Sequence, residues 1–354
     1  MSLPPFNTSP SFTLTRNPDE NWAFGDGLRE QTELGAKWKE DESKGWKSIT
    51  LDEIEKPLVY KLLISAVTPR RNIIAYRHRE VFLVRTEMLL FLPRPIAFVA
   101  TLSEDGVQNL APFSYFSLVS HNPPLVSISF TLPSKGVKDT RENIKATKEF
   151  TVNIISEPFV EAANATSIDA PPEVDEFVMS GLTPLPSDIV KPPRVRESAI
   201  SFECELFHFI DISPSGVTAS SHLPPPTSSS SSQDTPAAPT TNTLVLGRIV
   251  RAHIRRSVLS SSSSSPSSPS SSSSSSSASD GETTVDPAAL RPVARLGGTT
   301  YARIGEGFDL PRPSWKAEGG QVGDLLDRKV QVQAEQEQEQ ERESGESGSG
   351  IGRL

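Results

Sequence analysis

The chain has 354 residues, a net charge of −9, a hydrophobic fraction of 35% and one cysteine, Cys204. One cysteine excludes an internal disulfide and a Cys-only zinc site. The acidic balance disfavours a nucleic-acid partner, and no run of about 18 apolar residues predicts insertion into a membrane. Apolar residues are sparse over 213–242, 257–285 and 315–354, so we expect one compact domain rather than two.

The first 50 residues are predicted to form an arm. They lack the charged and apolar regions of a secretory signal, so the expected location is the cytoplasm. They hold three of the four tryptophans, Trp22, Trp38 and Trp46. These rings favour an extended arm that is anchored on the domain, and a disordered arm is the alternative. Residues 51–69 follow with the apolar spacing of a short amphipathic helix.

The segment 71–92 is unusual because it separates two copies of the dipeptide Pro-Arg, at 69–70 and 93–94. It is apolar and basic, without Pro or Gly, and removal of 71–94 leaves the continuous run TPRPIAFV. One interpretation is a retained intron or a misplaced splice boundary. The other is a helix across the barrel mouth, since apolar residues recur at spacings of three and four.

A β pattern begins at Pro95 and predicts a mainly β fold. Strands are predicted over 96–101, 107–110, 113–119, 125–130, 150–155, 201–212 and 244–254, with a hairpin turn at Asp105-Gly106. Helices are predicted over 140–149 and 158–165, and Asp139 or Thr140 is expected to cap the first. Many short strands with few helices indicate a β-barrel or a sandwich. The stretches 213–242 and 257–285 are expected to be low-complexity loops, and 315–354 a disordered tail.

The sequence carries no reactive constellation of its own. It has no phosphate-binding P-loop, no dinucleotide fingerprint and no nucleophile elbow, and its five histidines lack the spacing of metal ligands. We therefore expect no metal and a chemistry that depends on a cofactor. Hydroxyls and amides around small residues, followed by Ser134-Lys-Gly-Val-Lys-Asp-Thr140 at a helix start, suit a flat ligand with a phosphate, such as FMN. A polar loop with a capping threonine explains the same residues without a ligand.

Several ordered motifs resemble one family. The run PRPIAFVATLSEDGVQNLAPFSYFSLVSHNPPLVSISF, followed by KDTRENI, FTVNI, ANATS, VDEFVMSGLTP and PPRVRESAISFECEL, is similar to the flavin reductase-like, FMN-binding split-barrel family of the flavoredoxin type. The similarity covers 93–212 and 243–313. It implies a six-stranded Greek-key split barrel over 51–314, which forms a homodimer with FMN between the subunits. The enlarged loops around 244–256 and the segment 71–92 depart from the family pattern.

The resemblance also implies the cofactor-binding residues. Thr101 and Asn109 match positions near the edge of the isoalloxazine ring, and Tyr115 matches a position that flanks the flavin. Ala111, Pro112 and Ser114 match the strand beside the ring. Lys138, Asp139 and Thr140 match the phosphate-binding turn, and Ser134 lies in the polar loop before it. Tyr301 matches a position near the dimer interface. His253 is a weaker candidate, as a partner for flavin or NAD(P)H, and a structural strand histidine is its alternative.

The function implied by the resemblance is an oxidoreductase that passes hydride from NAD(P)H to a non-covalently bound FMN. No acid or base from the protein is needed for this transfer, which agrees with the absence of a catalytic constellation in the sequence. Two alternatives remain open. One is a non-catalytic FMN-binding or carrier protein, and the other is an interaction scaffold with a vestigial barrel.

Overall fold

The computed structural model describes residues 15–51, 63, 93–132, 138–213, 216–220, 240–259, 284–305 and 313–348. The chain divides into two units, Met1–Gly307 and Phe308–Leu354, whereas the predicted boundary lies between 314 and 315. The segment 71–92, most of 51–69 and most of the two low-complexity loops lie outside the described residues. Among the described helices, none is both long enough and apolar enough to cross a membrane.

The first unit is mainly β, as predicted. Its strands are β1 (Trp46–Thr50), β2 (Ala97–Leu102), β3 (Gln108–Phe113), β4 (Phe116–His121), β5 (Pro124–Thr131), β6 (Glu149–Ile154), β7 (Pro184–Leu185), β8 (Arg194–Val195), β9 (Ile200–Ser213), β10 (Gly216–Ser220), β11 (Asn242–Arg255), β12 (Val293–Arg295) and β13 (Tyr301–Arg303). Its α-helices are α1 (Glu33–Glu42), α2 (Asp139–Thr147), α3 (Val160–Ala165), α4 (Glu176–Ser180) and α5 (Pro287–Leu290). Short 3-10 turns cover Glu157–Phe159 and Arg256–Val258.

Nine strands form one antiparallel sheet, three more than the resemblance implies. The order is β3-β2-β6-β9-β11-β5-β4, while β1 pairs with β11 and β10 pairs with β9. Two small sheets pair β12 with β13 and β7 with β8. β10 lies within the stretch 213–242 that was predicted as a loop, because the chain after Ser213 turns back at Gly216 and pairs with β9.

The long strands β9 and β11 form the centre of the sheet. They are antiparallel from the pair Asn242↔Ile212 to the pair Ile254↔Ile200. The first half of β11 also pairs with β5, and its last residues pair with β1. The long stretch of chain between these two strands does not prevent their pairing, since lengthening a loop adds little closure entropy.

Two buried clusters lie on opposite faces of β2, because successive side chains of a strand alternate. Val99 belongs to the larger cluster, which fills the interior of the main sheet. Phe98 and Ala100 belong to the smaller cluster, together with Phe159 and Phe177 from the helical segments. β2 is therefore buried on both faces, and it joins the sheet to the helices that border the site.

The N-terminal segment is more ordered than the predicted extended arm. Thr32 caps α1 by accepting a hydrogen bond from the N–H of Gly35 at 3.0 Å, and β1 extends the sheet. The indole of Trp38 is buried and donates to the carbonyl of Glu197 at 2.8 Å. The guanidinium of Arg255 lies 5.0 Å from that ring and 5.2 Å from the ring of Trp46. The tryptophans thus pack against the domain, and the segment between them forms a helix and a strand.

Two further expectations are corrected. In place of the predicted disordered tail, the second unit contains the helix α6 (Trp315–Gly348). Glu, Gln, Lys and Arg favour a helix even where there is little to bury, so a low apolar content did not exclude one. The N-cap of α2 is Lys138, not Asp139 or Thr140, because the hydroxyl of Thr140 donates instead to Asn109 Oδ1 at 2.7 Å.

Gly247 tests the packing of the central hairpin. A Cβ at this position would lie 2.3 Å from Cζ of Phe150, whose side chain is fully buried. We expect Gly247→Ala to lower the free energy of unfolding by about 1–3 kcal/mol, as overpacking of a core does. Urea denaturation followed by tryptophan fluorescence measures the change.

Gly305→Ala is the matched control, because a Cβ there meets no atom within 4 Å. Its free energy of unfolding should change by no more than about 0.5 kcal/mol. Equal effects of the two substitutions would contradict the close approach of β11 to Phe150.

Candidate functional site

An open groove of about 770 Å³ lies where β3, β5 and the start of α2 meet the segment after α3. This volume is within the range of about 300–1,000 Å³ that small-molecule sites have. Eight of the predicted site residues line it: Asn109, Ala111, Pro112, Ser114, Tyr115, Lys138, Asp139 and Thr140. The structure therefore brings most of the predicted set together, and their binding of FMN stays a prediction.

The other predicted residues do not line the groove. Thr101 is fully buried behind it and donates to Asn109 Oδ1 at 3.3 Å. Tyr301 lies in the small β12-β13 sheet, where its hydroxyl donates to Asn164 Oδ1 at 2.8 Å. Ser134 lies outside the described residues. His253 is buried near the far end of β11 from the groove residue Asn242, so it is not placed to contact a ligand in the groove.

A chain of hydrogen bonds holds the amide of Asn109 in one orientation. Its Oδ1 accepts from the hydroxyls of Thr140 at 2.7 Å and Thr101 at 3.3 Å. Its Nδ2 donates to Oε2 of Glu176 at 3.3 Å, and that oxygen also accepts from the N–H of Leu110 at 3.0 Å. Because both ends of the amide are engaged, the groove has a rigid polar base that links β2, β3, α2 and α4.

The N-terminus of α2 forms one end of the groove. Lys138 is its N-cap residue and makes no side-chain capping bond. The first N–H groups of a helix lack partners within the helix and carry a partial positive charge. The nearest described carboxylate to Lys138 Nζ is that of Asp169, at 4.0 Å, and both side chains are exposed. Such an exposed pair contributes little, so the ammonium group is available to an anion in the groove.

Two carboxyl groups border the same space, and burial acts on both. Burial raises the pKa of Glu176, against the lowering effect of the hydrogen bond from Leu110 N–H. Burial likewise raises the pKa of Asp139, against the lowering effect of the neighbouring Lys138 ammonium. Each of these two carboxyl groups therefore binds a proton more readily than an exposed carboxyl does.

Sequence reasoning missed several groove residues. They come from distant segments: Arg94, Ser129, Thr131, Thr166, Ser167, Ile168, Asp169, Ala170, Pro172, Glu176 and Asn242, with Phe113 beside the predicted ones. Glu176 lies in the quoted motif VDEFVMSGLTP, but no role was assigned to it. Arg94 Nε donates to Ser114 Oγ at 3.2 Å, and its guanidinium lies 5.8 Å from the centre of the Tyr115 ring. The only sequence feature that drew attention to Arg94 was its position in the second of the two Pro-Arg dipeptides.

Known proteins share this arrangement of strands. Residues 89–262 match the family model of the flavin reductase like domain. The uncharacterized protein BH2278 of Halalkalibacterium halodurans is 35% identical over 224 residues, which cover 63% of this chain and 87% of that protein. The chain belongs to the flavin reductase-like family. The uncharacterized protein YwrF of Bacillus subtilis is 33% identical over 223 residues, 63% of this chain and 89% of that protein.

A solved structure extends the comparison to the fold. Nitrilotriacetate monooxygenase component B from Bacillus cereus is similar with a TM-score of 0.50 and 30% identity, over 66% of this chain and 100% of that chain. The predicted family and the predicted split-barrel fold are thereby confirmed. The relatives named above are uncharacterized, so the family is established at the level of a flavin-related oxidoreductase.

Glu176 tests the polar base of the groove. Glu176→Ala leaves the N–H of Leu110 without its acceptor in a buried position, and such an unpaired group costs about 1–3 kcal/mol. We expect the free energy of unfolding to fall by that amount in urea denaturation. Glu176→Gln retains a carbonyl oxygen that accepts from Leu110, so its loss should be smaller.

The pH dependence of the same position follows from its raised pKa. The folded state binds the Glu176 proton more tightly than the unfolded chain does. The contribution of this carboxyl to the free energy of unfolding is therefore complete below the ordinary Glu pKa, and it falls as the pH rises through the folded-state pKa. The stability of the wild type relative to Glu176→Gln should therefore be higher near about pH 4 than near about pH 7. An increase in this difference with pH would contradict the burial of the carboxyl.

Proposed function

We propose that the protein binds FMN non-covalently in this groove and acts as a flavin reductase-type oxidoreductase that takes hydride from NAD(P)H. The proposal depends mainly on one observation. The N-terminus of α2 and the available ammonium group of Lys138 lie at one end of the groove, and a strand with small side chains forms the groove wall. The family of the chain supports the same conclusion. The cytoplasmic location stays a prediction.

The phosphate would lie at the start of α2. The N–H groups of the first turn and the ammonium of Lys138 both favour an anion there. An arrangement of this kind recognises a terminal monophosphate. The sequence has no fingerprint for an adenosine half, so FMN is proposed rather than FAD.

The ring would lie along β3. Ala111 is small and Pro112 has no backbone N–H, so a flat ring can approach this wall closely. Asn109, held by Thr140 and Glu176, presents a fixed amide at the base of the groove. When bound, the flavin supplies the hydride-accepting chemistry. The protein residues bind the ring, orient it and exclude water from one face.

Lys138→Ala tests the phosphate end. Loss of a charge-assisted hydrogen bond should weaken FMN binding by about 1.5–3 kcal/mol, which is roughly 10- to 150-fold in Kd. Fluorescence titration of flavin-free protein measures it. Lys145→Ala is the matched control, because Lys145 is exposed on the same helix and does not line the groove. Equal FMN affinity in wild type and Lys138→Ala would contradict the site.

Turnover separates an oxidoreductase from a carrier. With FMN bound, we expect the protein to oxidise NADH or NADPH, measured by the loss of nicotinamide absorbance, and Lys138→Ala to need more added FMN for the same rate. Tight FMN binding without oxidation of either nucleotide would indicate the carrier alternative. A purified protein that binds no flavin would indicate the scaffold.

The proposed functional form is a homodimer. Tyr115 and Ile168 line the open groove and expose 47% and 52% of their surface, so a second subunit over the groove would bury apolar rings and side chains now facing water. Light scattering at micromolar protein with FMN present should give twice the chain mass. A monomer mass under these conditions would refute the dimer.

A further inference from the structure

Ser48, His253 and Glu203 lie in line across three neighbouring strands of the sheet. Ser48 on β1 is directly opposite His253 on β11, and β11 pairs in turn with β9, which carries Glu203. Ser48 Oγ lies 2.7 Å from His253 Nδ1. His253 Nε2 lies 2.5 Å from Glu203 Oε1. A hydroxyl, an imidazole and a carboxylate are therefore connected by two short hydrogen bonds.

Glu203 is held rigidly as an anion. Its side chain is fully buried and accepts backbone N–H groups from Asp188 at 2.8 Å, Ile189 at 2.6 Å and Val190 at 2.9 Å. Burial raises the pKa of Glu203, but the hydrogen bonds from His253 and from these N–H groups outweigh it and hold the pKa at about 2. At neutral pH this carboxylate only accepts hydrogen bonds.

The carboxylate sets the tautomer of His253, whose exposed fraction is 1%. Because Glu203 accepts only, Nε2 of the neutral ring must carry the proton, and Nδ1 must accept. The partner of Nδ1 is the hydroxyl of Ser48, which therefore donates its proton toward the ring. This is the protonation state in which an imidazole acts as a general base for a serine.

Ser48 is accessible, unlike its two partners. It is exposed, and β1 pairs only with β11 within the described residues. Arg251 donates to Thr50 Oγ1 at 2.9 Å, and Thr50 lies two residues from Ser48 on the same face of β1. The hydrogen bond to Thr50 thus holds the Arg251 guanidinium against β1. The other end of the guanidinium pairs with Asp188 at 2.7 Å.

We propose that Ser48 is a nucleophile that accepts the acyl group of small esters, with His253 as its general base and Glu203 as the residue that positions the imidazole. Ser48 Oγ forms a bond to the ester carbonyl carbon as its proton passes to His253 Nδ1. The bond from that carbon to the alcohol oxygen then breaks, and the alcohol leaves with the proton from His253. Water attacks the acyl-serine in the same way and releases the carboxylic acid.

This site is separate from the flavin groove. None of Ser48, His253 and Glu203 lines the groove, which meets β11 at Asn242, while His253 lies near the other end of that strand. The triad of polar groups is also independent of the proposed oxidoreductase activity, since neither FMN nor nicotinamide takes part. Loss of flavin binding would leave the reactivity of Ser48 unchanged.

The experiment treats the full-length protein with diisopropyl fluorophosphate and locates the modified residue by peptide mass spectrometry. The expected result is one modification per chain, at Ser48, with none in Ser48→Ala. Ser117 is the internal control. It is an exposed serine on the edge strand β4, and its hydroxyl donates to the carbonyl of Leu118 rather than to a base. No label at Ser48, or equal labelling of Ser48 and Ser117, would overturn the proposal.

Variants of the two partners separate activation from structure. Glu203→Gln and His253→Gln should slow labelling of Ser48 by about 10²- to 10⁴-fold, the usual contribution of a general base. Hydrolysis of p-nitrophenyl acetate should fall in parallel. Thermal unfolding identifies any variant that fails to fold. If a buried variant fails to fold, Ser48→Ala, whose side chain is exposed, takes its place in the p-nitrophenyl acetate assay. An unchanged labelling rate in a folded His253→Gln protein would refute the role of the imidazole.

Discussion

The pairing of β9 with β11 is the interaction on which the rest of the structure depends. Each strand has 14 residues, so both are longer than any of the strands that pair with them. β11 pairs with β5 near Asn242, where the groove lies, and with β1 near His253, where the serine site lies. Gly247 lets Phe150 pack against the middle of the strand. Both proposed sites are thus positioned by one pair of strands.

The buried polar groups at the base of the groove favour one packing of the helices that surround it. Asn109 accepts its shortest hydrogen bond from Thr140 and donates to Glu176, and these two residues come from different helices. Each of the unpaired groups would cost free energy in the interior. The hydrogen bonds therefore favour the single packing of α2 and α4 in which the helix N-terminus faces the β3 wall.

A similar constraint holds the N-terminal segment. Arg255 is buried, and desolvation lowers the pKa of its guanidinium. Its N–H groups donate to the carbonyls of Trp38 and Arg196, and it packs against two indole rings. A buried cation without these acceptors would be strongly destabilising. The charge therefore links α1 and β1 to the sheet, and with them Ser48 to His253.

Local patterns in the sequence predicted seven of the thirteen described strands, the turn and the family. Alternation of Val126, Ile128 and Phe130 places one face of β5 in the core, and Asp105-Gly106 forms the predicted turn, with Gly106 at φ +86°. These signals are local, because alternation and left-handed backbone conformations depend on a few adjacent residues. The motifs of the family likewise identified eight groove residues, all of them within two short segments, 109–115 and 138–140.

Only the tertiary structure decided which distant residues meet. Ser48 and His253 are 205 positions apart, and Asn109 and Glu176 are 67 apart. No short-range pattern relates such pairs, since their contact depends on the register of strands and on the packing of helices over them. The histidine that stands alone in the sequence is therefore the centre of a hydrogen-bonded triad in the fold, and Glu176, without a local signal, supports the base of the groove.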